Sequence, residues 1–190
     1  MASFSGIDIN EVDRNLAVRR VRIMQITYGA LVFSVMSLLV LFLFFFAMSS
    51  DLLIRGVQLN SRVQLMGTIL WSVVVVCVAG GIIMFRQRTN PGQTVLQPGQ
   101  PMEDGRETIT DPSTKFAALV QQGIIGRAVL FTIPALVSAV ICLYWVLSGA
   151  FLGHPQRLVH VIPAFAQIAF FAITWPTHDK VMKMVRKRLG

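Results

Sequence analysis

The chain alternates long apolar stretches with short charged ones. Residues 23–50, 63–85, 128–156 and 158–178 contain no Asp, Glu, Lys or Arg. An α-helix rises ~1.5 Å per residue and the hydrocarbon core of a bilayer is ~30 Å thick, so about 20 apolar residues are enough to cross it. In lipid the backbone must pair its own polar groups, which favours helix over strand. The pattern therefore predicts an all-α integral membrane protein with four transmembrane helices.

The polar stretches between these runs divide the chain into five parts. Apolar residues are too few in the middle stretch to form a core, and Pro and Gly are frequent there, which is typical of a flexible connection. The four helices should therefore form two hairpins. The parts are an N-terminal segment (1–22), a first transmembrane hairpin (23–85), a flexible linker (86–116), a second transmembrane hairpin (117–177) and a basic tail (178–190).

The distribution of positive charge predicts the orientation in the membrane. The net charge of +8 invites a nucleic-acid interpretation, but the Lys and Arg residues lie at the ends of the apolar runs. Of the 17, only Arg55, Arg62 and Arg157 lie in the connections within the two hairpins. The positive-inside rule then predicts a multi-pass protein of the plasma (inner) membrane with both termini and the linker in the cytoplasm. We expect the lipid bilayer, and no nucleic acid, as its partner.

Residue types that carry chemistry are scarce. None of the runs contains a carboxylate, and Arg127 at the foot of the third should extend toward the headgroups. Cys77 and Cys142 lie inside apolar runs without a CxxC motif, which indicates small buried side chains. His154 and His160 flank one short loop, but no Cys or carboxylate accompanies them as a metal ligand. We therefore expect no enzyme activity, no catalytic residues, no cofactor and no metal.

Two sets of residues are candidates for binding and packing. Anionic headgroups attract basic residues near the membrane surface by about 1 kcal/mol each, although a basic tail can equally serve only to set the topology. Small residues let transmembrane helices approach closely. The headgroup candidates are Lys180, Lys183, Arg186, Lys187 and Arg188, and the packing candidates are Gly80, Gly81, Ala135, Ala139, Ala164 and Ala172.

Polar side chains inside the apolar runs allow two interpretations. They can donate hydrogen bonds that hold helices together, or they can line a path for a solute. The candidates are Gln25, Thr27, Ser34, Ser37, Thr68, Ser72, Thr132, Ser138, Gln167 and Thr174.

The third apolar run resembles a known type of membrane helix. The stretch GIIGRAVLFTIPALVSAVICLYWVLSG is similar to the second helix of the ATP synthase proteolipid (c) subunit. The ending WPTHDKVMKMVRKR resembles small bacterial four-span membrane proteins built from two such hairpins. The resemblance implies a hairpin suited to packing against copies of itself. Proteolipids carry a mid-helix carboxylate for ion transport, whereas Phe131 or Thr132 occupies the matching position here.

Two functions are consistent with these observations. The first is a structural or accessory membrane subunit that packs as a homo-oligomer or in a larger membrane complex. The alternative is a small transporter or channel for ions or small solutes, whose path the scattered hydroxyls and Gln167 would line. A coupled transporter normally relies on an acidic group at membrane depth, and the lack of one in the apolar runs favours the first function.

Overall fold

The fold is almost entirely helical. A computed structural model describes residues 7–52, 60–92, 102–104, 107–109, 111–149 and 155–189. Four helical stretches in these ranges are long and apolar enough to cross a membrane, which agrees with the predicted number of long apolar helices. They are Val21–Met48, Gln64–Arg88, Pro112–Leu147 and Gln156–Thr174.

The first long helix begins well before the first apolar run. Helix α1 (Ile9–Asn15) passes through a π-helical turn (Leu16–Arg20) directly into helix α2 (Val21–Leu52). Asp8 caps the start of α1, because its side chain accepts a 2.9 Å hydrogen bond from the backbone N–H of Asn10. In the π-helical turn the N–H of Val21 bonds to the carbonyl of Leu16, five residues earlier. Residues 9–22 of the predicted N-terminal segment and the first span thus form one helical run.

The second and third long helices extend into the predicted linker. Helix α3 (Asn60–Arg88) ends at Arg88, and helix α4 (Pro112–Leu147) begins at Pro112. Asp111 caps α4 by accepting a 2.7 Å hydrogen bond from the N–H of Thr114. Proline suits the first helical position because its missing N–H would lack a helical partner there. Strands β1 (Met102–Asp104) and β2 (Glu107–Ile109) pair antiparallel, with Met102 opposite Ile109.

The fourth apolar run contains two kinds of helix. A 3₁₀ helix (Pro155–Val161) leads into helix α5 (Ile162–Thr174), and helix α6 (His178–Leu189) follows after a short break. The break contains Pro176, and the residue before a proline is disfavoured in helical conformation. The chain therefore leaves α5 before Trp175 and starts a new helix at the basic tail.

The helices contribute to two compact units. Unit 1 comprises Met1–Tyr28, Gly81–Arg127 and Trp175–Gly190, and unit 2 comprises Gly29–Gly80 and Ala128–Thr174. In unit 2, α2, α4 and the region around the start of α5 share one buried apolar cluster, so α4 is covered along this face by two other segments. The cluster consists of Val35, Leu39, Phe42, Ala135, Cys142, Val146, Val161 and Ala164.

Candidate functional site

Unit 2 contains an open groove of about 1110 Å³. We call it the His160 groove. One wall is the face of α3 from Gln64 to Val76, and the other includes Trp145 of α4. The 3₁₀ helix supplies Arg157 and His160. Pockets for drug-sized ligands have volumes of about 300–1,000 Å³, so the groove has room for a ligand of considerable size.

The imidazole of His160 is held from several sides. Its Nδ1 lies 3.0 Å from the carbonyl oxygen of Arg157, and its ring meets the ring of Trp145 edge-on at 4.9 Å between centroids. The ring of Trp71 lies 6.3 Å away on the α3 side. The backbone carbonyl of His160 accepts a hydrogen bond from the hydroxyl of Ser138. These contacts fix the 3₁₀ helix against α4 at the centre of the groove.

Gly67 is the point at which α3 meets this imidazole. A Cβ atom placed on Gly67 would lie 2.6 Å from Nε2 of His160, closer than van der Waals contact allows. Glycine is therefore required here for a close approach between a helix and a side chain. Gly67 was not among the residues singled out from the sequence; its position one turn before Trp71 is the only signal that could have drawn attention to it.

The groove changes character along α3. Gln64 and Arg157 form a polar end, whereas Val75 and Val76 form an apolar end and are 66% and 70% exposed. The eleven or twelve residues between the ends of this wall correspond to about 17–18 Å along a helix axis. The lining of the groove therefore changes from polar at one end of α3 to apolar at the other.

A buried polar pair lies elsewhere in unit 2. The amide Nε2 of Gln167 on α5 donates a 2.9 Å hydrogen bond to the hydroxyl of Thr132 on α4. That hydroxyl donates in turn to the carbonyl of Ala128 at 2.8 Å. Both side chains are buried, and Oε1 of Gln167 has no partner among the described residues. The two residues thus bond to each other rather than face an open space.

The remaining candidate polar side chains are also bonded within the chain. Gln25 donates to the carbonyl of Pro176 at 3.0 Å, and Ser138 donates to His160 as described above. The other hydroxyls bond to backbone carbonyls three or four residues earlier in their own helices. They are Thr27, Ser34, Ser37, Thr68, Ser72, Thr132 and Thr174.

In unit 1, α3 and α4 approach closely at two glycines. A Cβ on Gly123 would lie 3.1 Å from Cβ of Arg88, and a Cβ on Gly126 would lie 2.8 Å from the sulfur of Met84. Next to them the guanidinium of Arg127 lies over the ring of Phe85, 4.2 Å from its centroid. Such a cation–π contact gives the Arg127 charge a partner on the neighbouring helix.

The tail helix α6 presents its basic residues outward. Val181, Met182 and Val185 are buried on one face. The predicted headgroup residues Lys180, Lys183, Arg186, Lys187 and Arg188 are all exposed. Their binding to headgroups stays a prediction, but the geometry leaves all five accessible.

The start of α6 is attached to the N-terminal helical run. Nε2 of His178 lies 2.8 Å from a carboxylate oxygen of Asp13, and the rings of Tyr28 and Trp175 meet edge-on at 6.1 Å. The hydrogen bond from Gln25 to Pro176 lies at the same junction. These contacts hold the start of α6 against the N-terminal helical run.

Replacing Asp13 with asparagine should loosen this attachment. The pair is partly exposed, with 38% and 44% of the two side chains accessible, so about 0.2–1 kcal/mol is the expected loss. We expect trypsin to cleave the Lys and Arg residues of α6 up to a few times faster, measured by gel or mass spectrometry. Glu11→Gln on the exposed face of α1 is the control. Equal cleavage rates in both variants would contradict a role for the contact between Asp13 and His178.

The structure distributes the predicted packing residues unevenly. Ala135, Ala139 and Ala164 are fully buried inside unit 2. Gly81 is buried. Gly80 has more space around it, because a Cβ atom placed on it would meet nothing nearer than a methyl group of Leu130 at 4.0 Å. Ala172 is exposed. A contact with another chain would therefore use Ala172 and other exposed residues rather than the three buried alanines, whose neighbours belong to the same chain.

Metal ligands and thiols do not converge in the described part of the chain. No group of three or more His, Cys, Asp or Glu side chains that could hold a metal ion occurs there. His154, which the sequence places beside His160 across a short loop, lies outside the described residues. Cys142 is buried in the apolar cluster of unit 2, and Cys77 is half-buried.

No protein-family model matches the chain, and no curated protein and no solved structure matches it.

Proposed function

We propose that the protein is a non-enzymatic structural or accessory subunit of the plasma (inner) membrane, with cytoplasmic termini, which packs with itself or in a larger membrane complex. One observation carries this proposal. All ten candidate polar side chains form hydrogen bonds within the chain. Gln25, Thr132, Ser138 and Gln167 connect different segments of the chain in this way, and the other six bond to carbonyls of their own helices.

The same observation weighs against the alternative of a transporter or channel. A conduction path needs polar groups that can exchange their partners with a passing ion or solute, and usually an ionisable group at membrane depth. The apolar runs contain no carboxylate. Thr132 and Gln167, the best candidates for a lining, bond to each other at 2.9 Å across α4 and α5.

The surfaces left for partners are of two kinds. Large apolar side chains such as Phe33 on α2 and Ile173 on α5 are each 74% exposed and would lie against lipid or a partner helix. The exposed basic face of α6 would lie at the cytoplasmic surface, where anionic headgroups attract Lys and Arg. Both surfaces suit a protein that packs beside other membrane components.

Reconstitution into vesicles separates the two functions. The full chain would be placed in vesicles that contain a pH-sensitive or potassium-sensitive dye, and glycerol uptake would be followed by swelling. We expect rates equal to those of protein-free vesicles under each gradient, for the natural chain and for Thr132→Val alike.

Transport that depends on the buried pair would overturn the proposal. The deciding result is a flux above background that falls in Thr132→Val and Gln167→Leu. Ser37→Ala is the matched control, because Ser37 bonds only to the carbonyl of Phe33 in its own helix. A flux that none of the three variants lowers would indicate leaky vesicles rather than a path through unit 2.

A further inference from the structure

We propose that His178 is a pH-sensitive latch between the tail helix α6 and the N-terminal helical run. The protonated imidazole forms an ion pair with Asp13 and holds α6 tightly, whereas loss of the proton weakens this attachment. The inference goes beyond the proposed function and does not depend on it. It rests on the geometry of the contact and on the few groups of unit 1 that change their charge near neutral pH.

The two atoms that face each other in this contact are closed off from solvent. Nε2 of His178 lies 2.8 Å from Oδ1 of Asp13. The two side chains are 38% and 44% exposed, yet both facing atoms are buried, and neither has another hydrogen-bond partner among the described residues. Each atom therefore depends on the other to offset its loss of contact with water.

The short distance between these atoms requires a proton. A carboxylate oxygen can only accept a hydrogen bond, and so can an imidazole nitrogen without a proton, so their lone pairs would repel each other at 2.8 Å. Nε2 must therefore carry a proton while α6 is attached. The imidazolium always meets this condition and adds the attraction of opposite charges, whereas the neutral ring meets it in only one of its two tautomers. Protonation should therefore strengthen the attachment.

Carboxylates face the imidazole from both helices. Asp13 approaches it from α1, and on α6 an oxygen of Asp179 lies 3.9 Å from Nδ1. Arg14 and Lys180, the nearest basic residues along the two helices, have exposed side chains. The side chain of Asp179 is also fully exposed, so water and salt screen its attraction to the ring. The closed contact with Asp13 is therefore the one that should respond to protonation.

His178 is the one histidine in the sequence ranges of unit 1. The chain has three histidines, and His154 and His160 belong to unit 2. Cys77 and Cys142, the two cysteines of the chain, also belong to unit 2. Histidine is the side chain whose charge ordinarily changes between pH 5 and 8. A response of α6 to pH in this range therefore points to a single side chain.

The latch lies directly before the apolar face of α6. Val181, Met182 and Val185 follow His178 by three to seven residues and are buried in the attached tail. The basic residues of α6 occupy its exposed side. A helix with a basic face and an apolar face is suited to lie along a membrane surface. Weakening of the latch would therefore expose this apolar face more often and let it contact the bilayer.

Hydrogen exchange of the backbone amides of α6 measures the attachment. The full chain in detergent micelles would be compared at about pH 5.5 and about pH 8, the range in which histidine changes its charge. Protection factors are the quantity to compare, because they remove the chemical effect of pH on exchange. We expect them to be about two- to fivefold higher at the lower pH, the range that a partly exposed ion pair produces.

Matched variants identify the two partners of the latch. His178→Gln and Asp13→Asn should each bring the ratio of the protection factors at the two pH values to about one, because neither chain can form the ion pair. Asp179→Asn is the control, since it removes the same kind of charge near the same ring but at an exposed position. This control should keep most of the ratio.

Several results would overturn the proposal. Equal protection at both pH values in the natural chain would mean that protonation does not affect the attachment, and this result needs no variant. Higher protection at the higher pH would mean that protonation releases α6. A ratio that survives His178→Gln would assign the response to another group, and a ratio that is lost in Asp179→Asn but kept in Asp13→Asn would assign it to the other carboxylate.

Discussion

Replacing Gly67 with alanine is expected to lower the free energy of unfolding by about 1–3 kcal/mol, the usual cost of overpacking. The new Cβ would lie 2.6 Å from Nε2 of His160. The imidazole cannot easily move away, because Trp145 and the carbonyl of Arg157 hold it on other sides. Either the ring or α3 must shift, and the His160 groove changes shape in both cases. Reversible unfolding in mixed detergent micelles, followed by circular dichroism, measures the loss.

Gly80→Ala is the matched control for this prediction. Gly80 lies in the same helix, but a Cβ there would meet nothing nearer than a methyl group of Leu130 at 4.0 Å. Since alanine is a better helix former than glycine, the change should be neutral or stabilising by about 0.5–1 kcal/mol. Equal changes in the free energy of unfolding for the two substitutions would show that the close contact between His160 and α3 does not depend on a glycine at position 67.

The second large effect is expected at the buried polar pair. Thr132→Val should lower the free energy of unfolding by about 1–2 kcal/mol. The amide nitrogen of Gln167 then loses its hydrogen-bond acceptor, and Oε1 of the same side chain already has no partner among the described residues. Gln167→Leu should be neutral or stabilising, since it removes that oxygen and leaves the Thr132 hydroxyl bonded to Ala128. The two residues are therefore expected to respond in opposite directions.

The double variant completes a thermodynamic cycle. Thr132→Val combined with Gln167→Leu should restore most of the stability lost in the first single variant, because neither position then leaves a buried polar group without a partner. The free energies of unfolding of all four chains, measured under one detergent condition, give the coupling. A large loss in Gln167→Leu alone would contradict the account, because it would mean that Oε1 has a stabilising partner.

The positions of the long helices could be predicted from the sequence because a bilayer imposes a simple rule. A segment that crosses lipid must be apolar for about 20 residues, and this is visible without knowing its neighbours. The ends of the helices were less predictable. Helix α4 begins at Pro112 rather than at 117, because Asp111 caps it in a stretch that composition alone describes as flexible.

The candidate site depends on contacts between residues that are far apart in the sequence. The pattern of apolar and polar residues does not reveal such contacts. Gly80 and Gly67 are both glycines in one apolar run, yet only Gly67 meets a side chain closely. That contact involves His160, which lies far along the sequence on a different helix. The side-chain types of Thr132 and Gln167 indicated hydrogen bonding between helices, but their pairing required the structure.

The small residues illustrate the same limit. Ala135, Ala139 and Ala164 were predicted as packing residues from their size. Size does not distinguish packing within a chain from packing between chains, and the structure places these three in the interior of unit 2. Exposed residues such as Ala172 and Phe33 are the ones that remain accessible to a partner helix.

The mass of the protein extracted from its membrane in a mild detergent tests the central claim most directly. A structural or accessory subunit should emerge as an assembly well above the 21.1 kDa of a single chain, of fixed stoichiometry, in native mass spectrometry. Its composition would distinguish a homo-oligomer from a mixed complex, and either is the predicted result. A single chain of 21.1 kDa that carries ions or solutes across reconstituted vesicles would contradict the account.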